Sequence, residues 1–260
     1  MWASGDAYEP YVGRWSRLVA REFIAWLEAD EGLSWLDVGC GTGALTETIL
    51  DVNAPKQVQA IDPSPSYIGF ARKRVSDPRA TFSVADARSL PQPSRSINVV
   101  VSGLALNFIP KAEVALAEMT RVARNGGTVA VYVWDYAGEM QLMRYFWDAA
   151  VALDAGASAQ DEGHRFPICR PVALEALFRG AGLQEIESRA IDTPTRFRNF
   201  DDYWTPFLGG QGPAPGYAMG LPENRRTALR ERIRAALPVA ADGSINLIAR
   251  AWAVRGKCVS

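Results

Sequence analysis

Histidine is nearly missing from this chain: one residue, His164, in 260. Only one side chain therefore has an ordinary pKa, near 6.5, suited to proton transfer at neutral pH. Cysteine is scarce as well. Cys40, Cys169 and Cys258 are odd in number and unrelated in spacing. That pattern argues against a disulfide framework or a zinc site and fits reduced, cytoplasmic thiols. No metal site is expected. No apolar run approaches the ~18 residues of a membrane-spanning helix, and no signal-like segment opens the chain. Charge of one sign is also lacking. The 28 Lys and Arg balance 29 Asp and Glu, a net charge of −1. Bulk electrostatics therefore point to neither nucleic acid nor a membrane surface. There is no internal repeat and no low-complexity tract, and nothing in the pattern specifies an oligomeric state.

What is present is concentrated in residues 36–43, Leu-Asp-Val-Gly-Cys-Gly-Thr-Gly. The apolar run Leu33 to Val38 reads as a short buried parallel strand. Ala44 to Leu50 is helix-compatible. Gly39, Gly41 and Gly43 thus occupy a strand-to-helix turn, where glycine permits positive φ and close approach of a ligand. The helix start adds free N–H groups and a positive dipole end. A nicotinamide or flavin fingerprint spaces its glycines G-x-G-x-x-G. Here the spacing is G-x-G-x-G, preceded by Asp37. A ligand without a pyrophosphate suits that turn.

Two further turns follow in register. Gln57 to Asp62 reads as a second strand, and Asp62 lies 23 residues past Gly39. An acidic residue at that place binds ribose hydroxyls in nucleotide folds, because a carboxylate accepts two vicinal hydroxyls at once. Ser64 and Pro65 read as N-cap and first residue of a helix. Thr81 to Ala85 is a third strand ending in Asp86-Ala87-Arg88. The fourth, Ile97 to Val101, is a continuous β-branched run. It opens into Ser102-Gly103-Leu104-Ala105-Leu106-Asn107-Phe108.

The string Asp37-x-Gly39-x-Gly41-x-Gly43 resembles motif I of the class I S-adenosylmethionine (SAM)-dependent methyltransferases. Asp86 to Pro91 is similar to a D-A-x-x-L-P string of the same family. The closest subgroup is the small-molecule type that includes the ubiquinone- and menaquinone-biosynthesis methyltransferases. The resemblance implies an α/β, Rossmann-like, doubly wound sheet of seven strands in order 3-2-1-4-5-7-6. Strand 7 is antiparallel, and an insertion lies between strands 6 and 7. It implies one methyltransferase domain over 1–260: a cofactor-cover segment and helix in 1–30, a SAM-binding core in 31–135, and the rest of the sheet in 136–260 with a helical insertion at 199–240.

The implied cofactor is SAM. The implied cofactor set is Asp37, Gly39, Cys40, Gly41 and Gly43 on the first turn and Asp62, Pro63 and Ser64 on the second. Asp86, Ala87 and Arg88 follow on the third, then Ser102 and Leu104 on the fourth. Tyr11, Arg14 and Trp15 are candidate cover residues, since aromatic faces attract a sulfonium by about 0.5–2 kcal/mol. The alternative for these aromatics is packing of the first helix, whose Leu18, Val19, Phe23, Ile24 and Leu27 form an apolar stripe.

Along the rest of the chain, Lys111 to Arg124 reads as a helix stopped by Asn125-Gly126-Gly127, and Thr128 to Trp134 as the fifth strand. Residues 137–154 read as a helix, Pro171 to Gly180 as another, and Gln184 to Ile191 as the sixth strand. A polar helix over Pro222 to Leu237 and a last strand over Ser244 to Val254 follow.

Methyl transfer is an in-line displacement at a sulfonium methyl, so alignment and exclusion of water supply most of the acceleration. A base is needed only for an O–H, C–H or protonated amine acceptor. Candidates are His164 in a polar loop, Asp135, and Asn107, where relatives often carry His. Asn107 can orient an acceptor or stabilise the turn. Asn107, Trp134, Tyr136, Trp204 and Phe207 are candidate pocket residues for a small-molecule acceptor; the alternative for the aromatics is core packing. The absence of an N/D-P-P-Y/F string counts against methylation of nucleobase amines. Two other functions stay open: a non-catalytic protein that binds SAM or S-adenosylhomocysteine, and a nicotinamide-dependent oxidoreductase. The glycine spacing disfavours the second.

Overall fold

The computed structural model describes residues 13–210 and 212–259, with the Arg14 side chain outside that description. Helices and strands alternate from the start: α1 (Arg14–Leu27), β1 (Ser34–Val38), α2 (Ala44–Val52), β2 (Gln57–Asp62), α3 (Pro65–Arg74), β3 (Ala80–Val84) and β4 (Ile97–Gly103). Then come α4 (Ala112–Val122), β5 (Ala123–Trp134), α5 (Gln141–Leu153), α6 (Glu162–Arg165), α7 (Pro171–Gly180) and β6 (Gln184–Phe197). The chain closes with α8 (Phe200–Trp204), α9 (Pro213–Gly220), α10 (Glu223–Ala236) and β7 (Ile245–Lys257). The seven strands form one sheet in the order β3-β2-β1-β4-β5-β7-β6, with β7 antiparallel to β5. Gly126 and Gly127 pair with Cys258 near one end of that pair, and Asp135 pairs with Arg250 at the other. No helix of the described residues is long and apolar enough to cross a membrane.

The chain divides into two compact units. One holds Ser16–Val133, Ile168–Ile191 and Ala251–Ser260; the other holds Met1–Trp15, Trp134–Pro167 and Asp192–Arg250. In the first, β1, β2, β3 and β4 run parallel, with Val38 opposite Ile61 and Asp37 opposite Val101. Leu36, Val38, Val58, Val100 and Val101 are wholly shielded. Burying each such side chain contributes about 1.5–3 kcal/mol. In α1, Val19, Phe23, Ile24 and Leu27 are buried as their spacing predicts, whereas Leu18 faces outward.

Several boundaries differ from the sequence reading, and three of them change how a segment is understood. Asn125-Gly126-Gly127 does not terminate α4; it lies inside β5. The β4–β5 register shifts between Ile97 and Val99, Gly126 takes φ +72°, and a Cβ at Gly127 would lie 2.9 Å from the Asn98 carbonyl. The glycines build a bulge, which uses the same positive φ as a helix stop. Residues 137–139 form a turn rather than the start of a helix. Gly138 and Met140 both donate to the Asp135 carbonyl, and the Asp135 carboxylate occupies the space a Cβ at Gly138 would need. β6 runs on to Phe197, because Ile191, Thr193, Thr195 and Phe197 alternate inward beyond the predicted end.

Candidate functional site

The turn after β1 uses its three glycines for two purposes. All three have positive φ: +76° at Gly39, +53° at Gly41 and +87° at Gly43. A Cβ at Gly39 would lie 2.6 Å from the Ala105 Cβ, and one at Gly43 3.3 Å from the Ala71 Cβ. Those two glycines let the turn close against the loop after β4 and against α3. Among the described residues, a Cβ at Gly41 would meet nothing within 4 Å. Gly41 is thus the glycine open to a ligand. The backbone donors, meanwhile, point inward. Gly39 and Cys40 both donate to the Ile61 carbonyl, at 2.8 and 2.9 Å, and Gly41 donates to Asp62 Oδ2 at 3.1 Å. A phosphate cradle needs such N–H groups free; here they fasten the turn to β2.

Two carboxylates flank the turn. Asp62 accepts from Gly41 through one oxygen and from the Ser64 N–H, at 2.9 Å, through the other. Burial raises its pKa, and these two N–H groups oppose the rise. Each oxygen keeps lone-pair capacity for a hydroxyl. Asp37 is fully buried. Its Oδ2 accepts from Thr46 Oγ1 at 2.7 Å, while Oδ1 has no partner. Burial, with the charge of Asp62 adding, pushes its pKa up to about 7. Burial and the same two carboxylates push the Cys40 thiol up, so it is no nucleophile.

Beyond β2, Pro63 is exposed, and Ser64 caps α3 by accepting from the Tyr67 N–H at 3.4 Å, with Pro65 next. Beyond β3, Arg88 clamps Asp86: Nε donates to both carboxylate oxygens at 3.0 and 3.1 Å, and Nη2 to Oδ2 at 2.6 Å. These bonds hold the Asp86 pKa down to about 2. Asp86 therefore already has a partner in its own turn, which a spacing argument does not reveal. Ala87 is buried beside it. Beyond β4, Ser102 is buried with its hydroxyl unpartnered. Leu104 takes φ +56° and donates its N–H to the Tyr132 carbonyl at 2.8 Å. Asn107 sits on a 3₁₀ turn, Leu106–Phe108, with both amide atoms buried and unpartnered.

The remaining candidates belong to other segments of the chain. Tyr11 and the Arg14 side chain lie outside the described residues. Trp15 packs edge-on against Phe197, with ring centroids 5.3 Å apart. Trp134, Tyr136, Trp204 and Phe207 are all buried in the second unit. Phe207 stacks on Phe146 at 4.6 Å, and Tyr136 lies 5.7 Å from Phe166. The Asp135 Oδ2 accepts from the Glu139 N–H at 2.9 Å and serves the turn. The His164 side chain is 68% exposed, its Nδ1 3.8 Å from Asp161.

Sequence reasoning passed over two participants in the turn and two buried acids in the other unit. Thr46 pairs with Asp37 from the first turn of α2, and Ala105 seats Gly39. Asp161 is held by Arg144, whose Nη1 lies 2.8 and 3.0 Å from its two oxygens. Buried Glu162 accepts from the Trp147 indole, and burial pushes its pKa up to about 7. The available signal was an Asp-Glu pair at a helix start, which is usually a solvated cap.

Residues 36–131 match the family model of a methyltransferase domain. The sterol 4-C-methyltransferase strm-1 of Caenorhabditis elegans is 32% identical over 109 residues, 41% of this chain and 32% of that protein. The malonyl-[acyl-carrier protein] O-methyltransferase of Hahella chejuensis is 35% identical over 92 residues, 35% of this chain and 33% of that one. The chain spans about a third to a half of the length of the curated relatives it matches. Among solved structures, phosphoethanolamine N-methyltransferase 2 of Haemonchus contortus, in complex with SAM, shares the fold at TM-score 0.58 and 15% identity. It covers 95% of this chain and 53% of that one. With the strand order and the glycine turn, these likenesses define the class at the level of fold: residues 36–131 match a methyltransferase domain, and the chain shares the fold of a solved SAM-bound methyltransferase.

Proposed function

We propose that the protein is an enzyme that moves the methyl group of SAM to a small-molecule acceptor. The reading is carried by one observation. Gly41 faces open space while its N–H fastens Asp62, so a buried carboxylate with spare lone pairs stands beside the one glycine of the turn that a ligand can approach. These residues fit a nucleoside without a pyrophosphate, and the orphaned oxygens of Asp37 and Ser102 leave polar capacity nearby. Bound there, SAM supplies an electrophilic methyl on a sulfonium.

Asp62 accepts the ribose hydroxyls, with Pro63 and Ser64 shaping that side. Asp86, shared with Arg88, and the Ala87 N–H face the adenine. Ser102 and Leu104 line the turn after β4. Tyr11, Arg14 and Trp15 remain the proposed cover. Asp37 holds the turn to α2 through Thr46. Cys40 keeps its proton and the Asn107 amide is too weak a base, so neither of these two residues deprotonates the acceptor. The two relatives named above methylate carbon and oxygen, so their names do not choose the acceptor atom.

Calorimetric titration with SAM and S-adenosylhomocysteine tests the cofactor site. Micromolar or tighter binding is expected, weakened in Asp62→Ala by about 1–3 kcal/mol, the loss of a charged hydrogen-bond acceptor. Unchanged affinity in that variant removes the ribose assignment. Transfer of labelled methyl from SAM to a panel of hydroxyl, amine, thiol and activated-carbon compounds tests the activity. Tight cofactor binding with no transfer to any of them would instead mark a binding protein.

A further inference from the structure

The segment that joins β6 to β7 encloses an open cavity of about 290 Å³, lined by residues of the second unit alone. Ligand pockets run from roughly 300 to 1,000 Å³, so this one suits a small molecule. Its floor is apolar. Trp204, at the end of α8, packs against Phe200 and Phe207, with ring centroids 6.4 and 5.9 Å away. Leu208, on the 3₁₀ turn that follows, and Met219, on α9, extend the floor and stay half-exposed. An apolar body that covers them gains the burial they lack.

The facing wall is α10, anchored by the buried Leu229 and Ile233. Glu223, Arg226, Thr227 and Arg230 line the cavity from it, and spacings of three and four put them on one helix face. Arg226 donates through Nη2 to Glu223 and through Nη1 to the Leu221 carbonyl at 3.5 Å. Arg230 donates through Nη2 to Asp201 Oδ1 at 3.3 Å and through Nη1 to Glu231 Oε1 at 2.8 Å. Its guanidinium carbon lies 5.2 Å from the Phe200 ring centroid. The two arginine side chains are 22% and 34% exposed, whereas Glu223 and Asp201 are 78% and 77% exposed. Ion pairs with such exposed acids hold weakly and give way to a better-placed anion. Of the ionised groups on the cavity wall, two are cations and one is an acid. The wall therefore carries excess positive charge beside an apolar floor.

We propose that this cavity binds a small amphipathic anion. Its apolar body rests on Trp204, Leu208 and Met219, and its head, a carboxylate or similar oxyanion, lies between Arg226 and Arg230. A guanidinium presents its N–H groups as a planar fork that matches two oxygens at once. Glu223 is the ligand's competitor for Arg226, and the Thr227 hydroxyl is a further donor on the same face. The site draws on none of the residues assigned to SAM, so it does not depend on that reading.

The test titrates wild type with octanoate, octanol and octylammonium, which share one apolar body and differ in the head. Octanoate should bind saturably, octanol about tenfold more weakly, and octylammonium not at all. Arg226→Gln and Arg230→Gln should each weaken octanoate about tenfold and leave octanol unchanged. Met219→Ser should weaken octanoate and octanol alike. Glu223→Gln should strengthen octanoate about two- to fivefold, a gain that a misfolded variant does not produce. Octanoate that fails to saturate, that binds no tighter than octanol, or that binds both arginine variants as it binds wild type overturns the proposal. So does a Glu223→Gln affinity at or below that of wild type.

Discussion

Asp37 and Asp161 are buried to the same degree, and the molecule treats them in opposite ways. Asp161, in the aromatic unit, has both oxygens engaged by Arg144 and also accepts from the Gly163 N–H at 2.8 Å. Asp37, beside the glycine turn, has one hydroxyl donor and one bare oxygen. Around Asp161 the neighbourhood is closed as well: Phe146, Trp147, Phe207 and Tyr217 pair their rings. Around Asp37, Ser102 and Asn107 repeat the incompleteness. Single unpartnered atoms occur elsewhere as well, at Trp35, Asn53, Gln92 and Thr195. What sets the turn apart is that they gather at neighbouring strand ends, which on the reading proposed above leaves polar capacity for a ligand at some cost to the empty protein.

The comparison is broken most directly through pH. Asp37 keeps its proton in the folded state up to about pH 7, whereas an unfolded Asp releases it near 3.9. The folded state therefore binds more protons between these values, and stability falls as pH rises from ~4 to ~7, then levels off. Asp37→Asn removes that fall. The variant should gain on wild type by up to about 4 kcal/mol between pH 4 and pH 8, read from urea midpoints at each pH. A constant difference across the range would mean that Asp37 is ionised and paired in the folded protein.

Asp161→Ala should act with the opposite sign and somewhat less force. It removes the buried partner of Arg144, which keeps the exposed Asp148 and the Tyr136 carbonyl, and should cost up to about 3 kcal/mol at neutral pH. Its Tm should drop while S-adenosylhomocysteine affinity, measured well below that Tm, stays at the wild-type value. A selective loss of affinity would erase the distinction between the two regions.

His164→Ala is the smallest change. Its exposed ring touches the closed region only at the rim, so stability should stay within about 0.5 kcal/mol. The methyl-transfer rate should keep its pH profile. A profile shifted in the variant would restore His164 as a base.

Much of the glycine turn was legible before any coordinates. The spacing of Gly39, Gly41 and Gly43, the distance to Asp62 and the Ser64-Pro65 cap all depend on local backbone rules. Such rules act over a few residues and survive unchanged in the fold. The bulge at Gly126 and Gly127 was misread because positive φ serves helix ends and strand bulges alike. Only the pairing with Cys258 and the close approach of the Asn98 carbonyl distinguish them. The aromatics at 134–217 were ambiguous for a similar reason: size and apolarity suit a pocket lining and a core equally.

The sequence alone determined the strands and the turn on which a nucleoside ligand is expected, because these follow from periodicity, glycine conformation and the spacing of a carboxylate; the class of fold and the order of strands came from the resemblance its motifs carry. Which buried polar groups find partners was decided only by the tertiary structure. Hydrogen bonding joins residues far apart in the chain, as Arg144 joins Asp161, and a missing bond leaves no trace in a sequence. The difference between a finished core at Asp161 and an unfinished site at Asp37 and Asn107 therefore belongs to the fold.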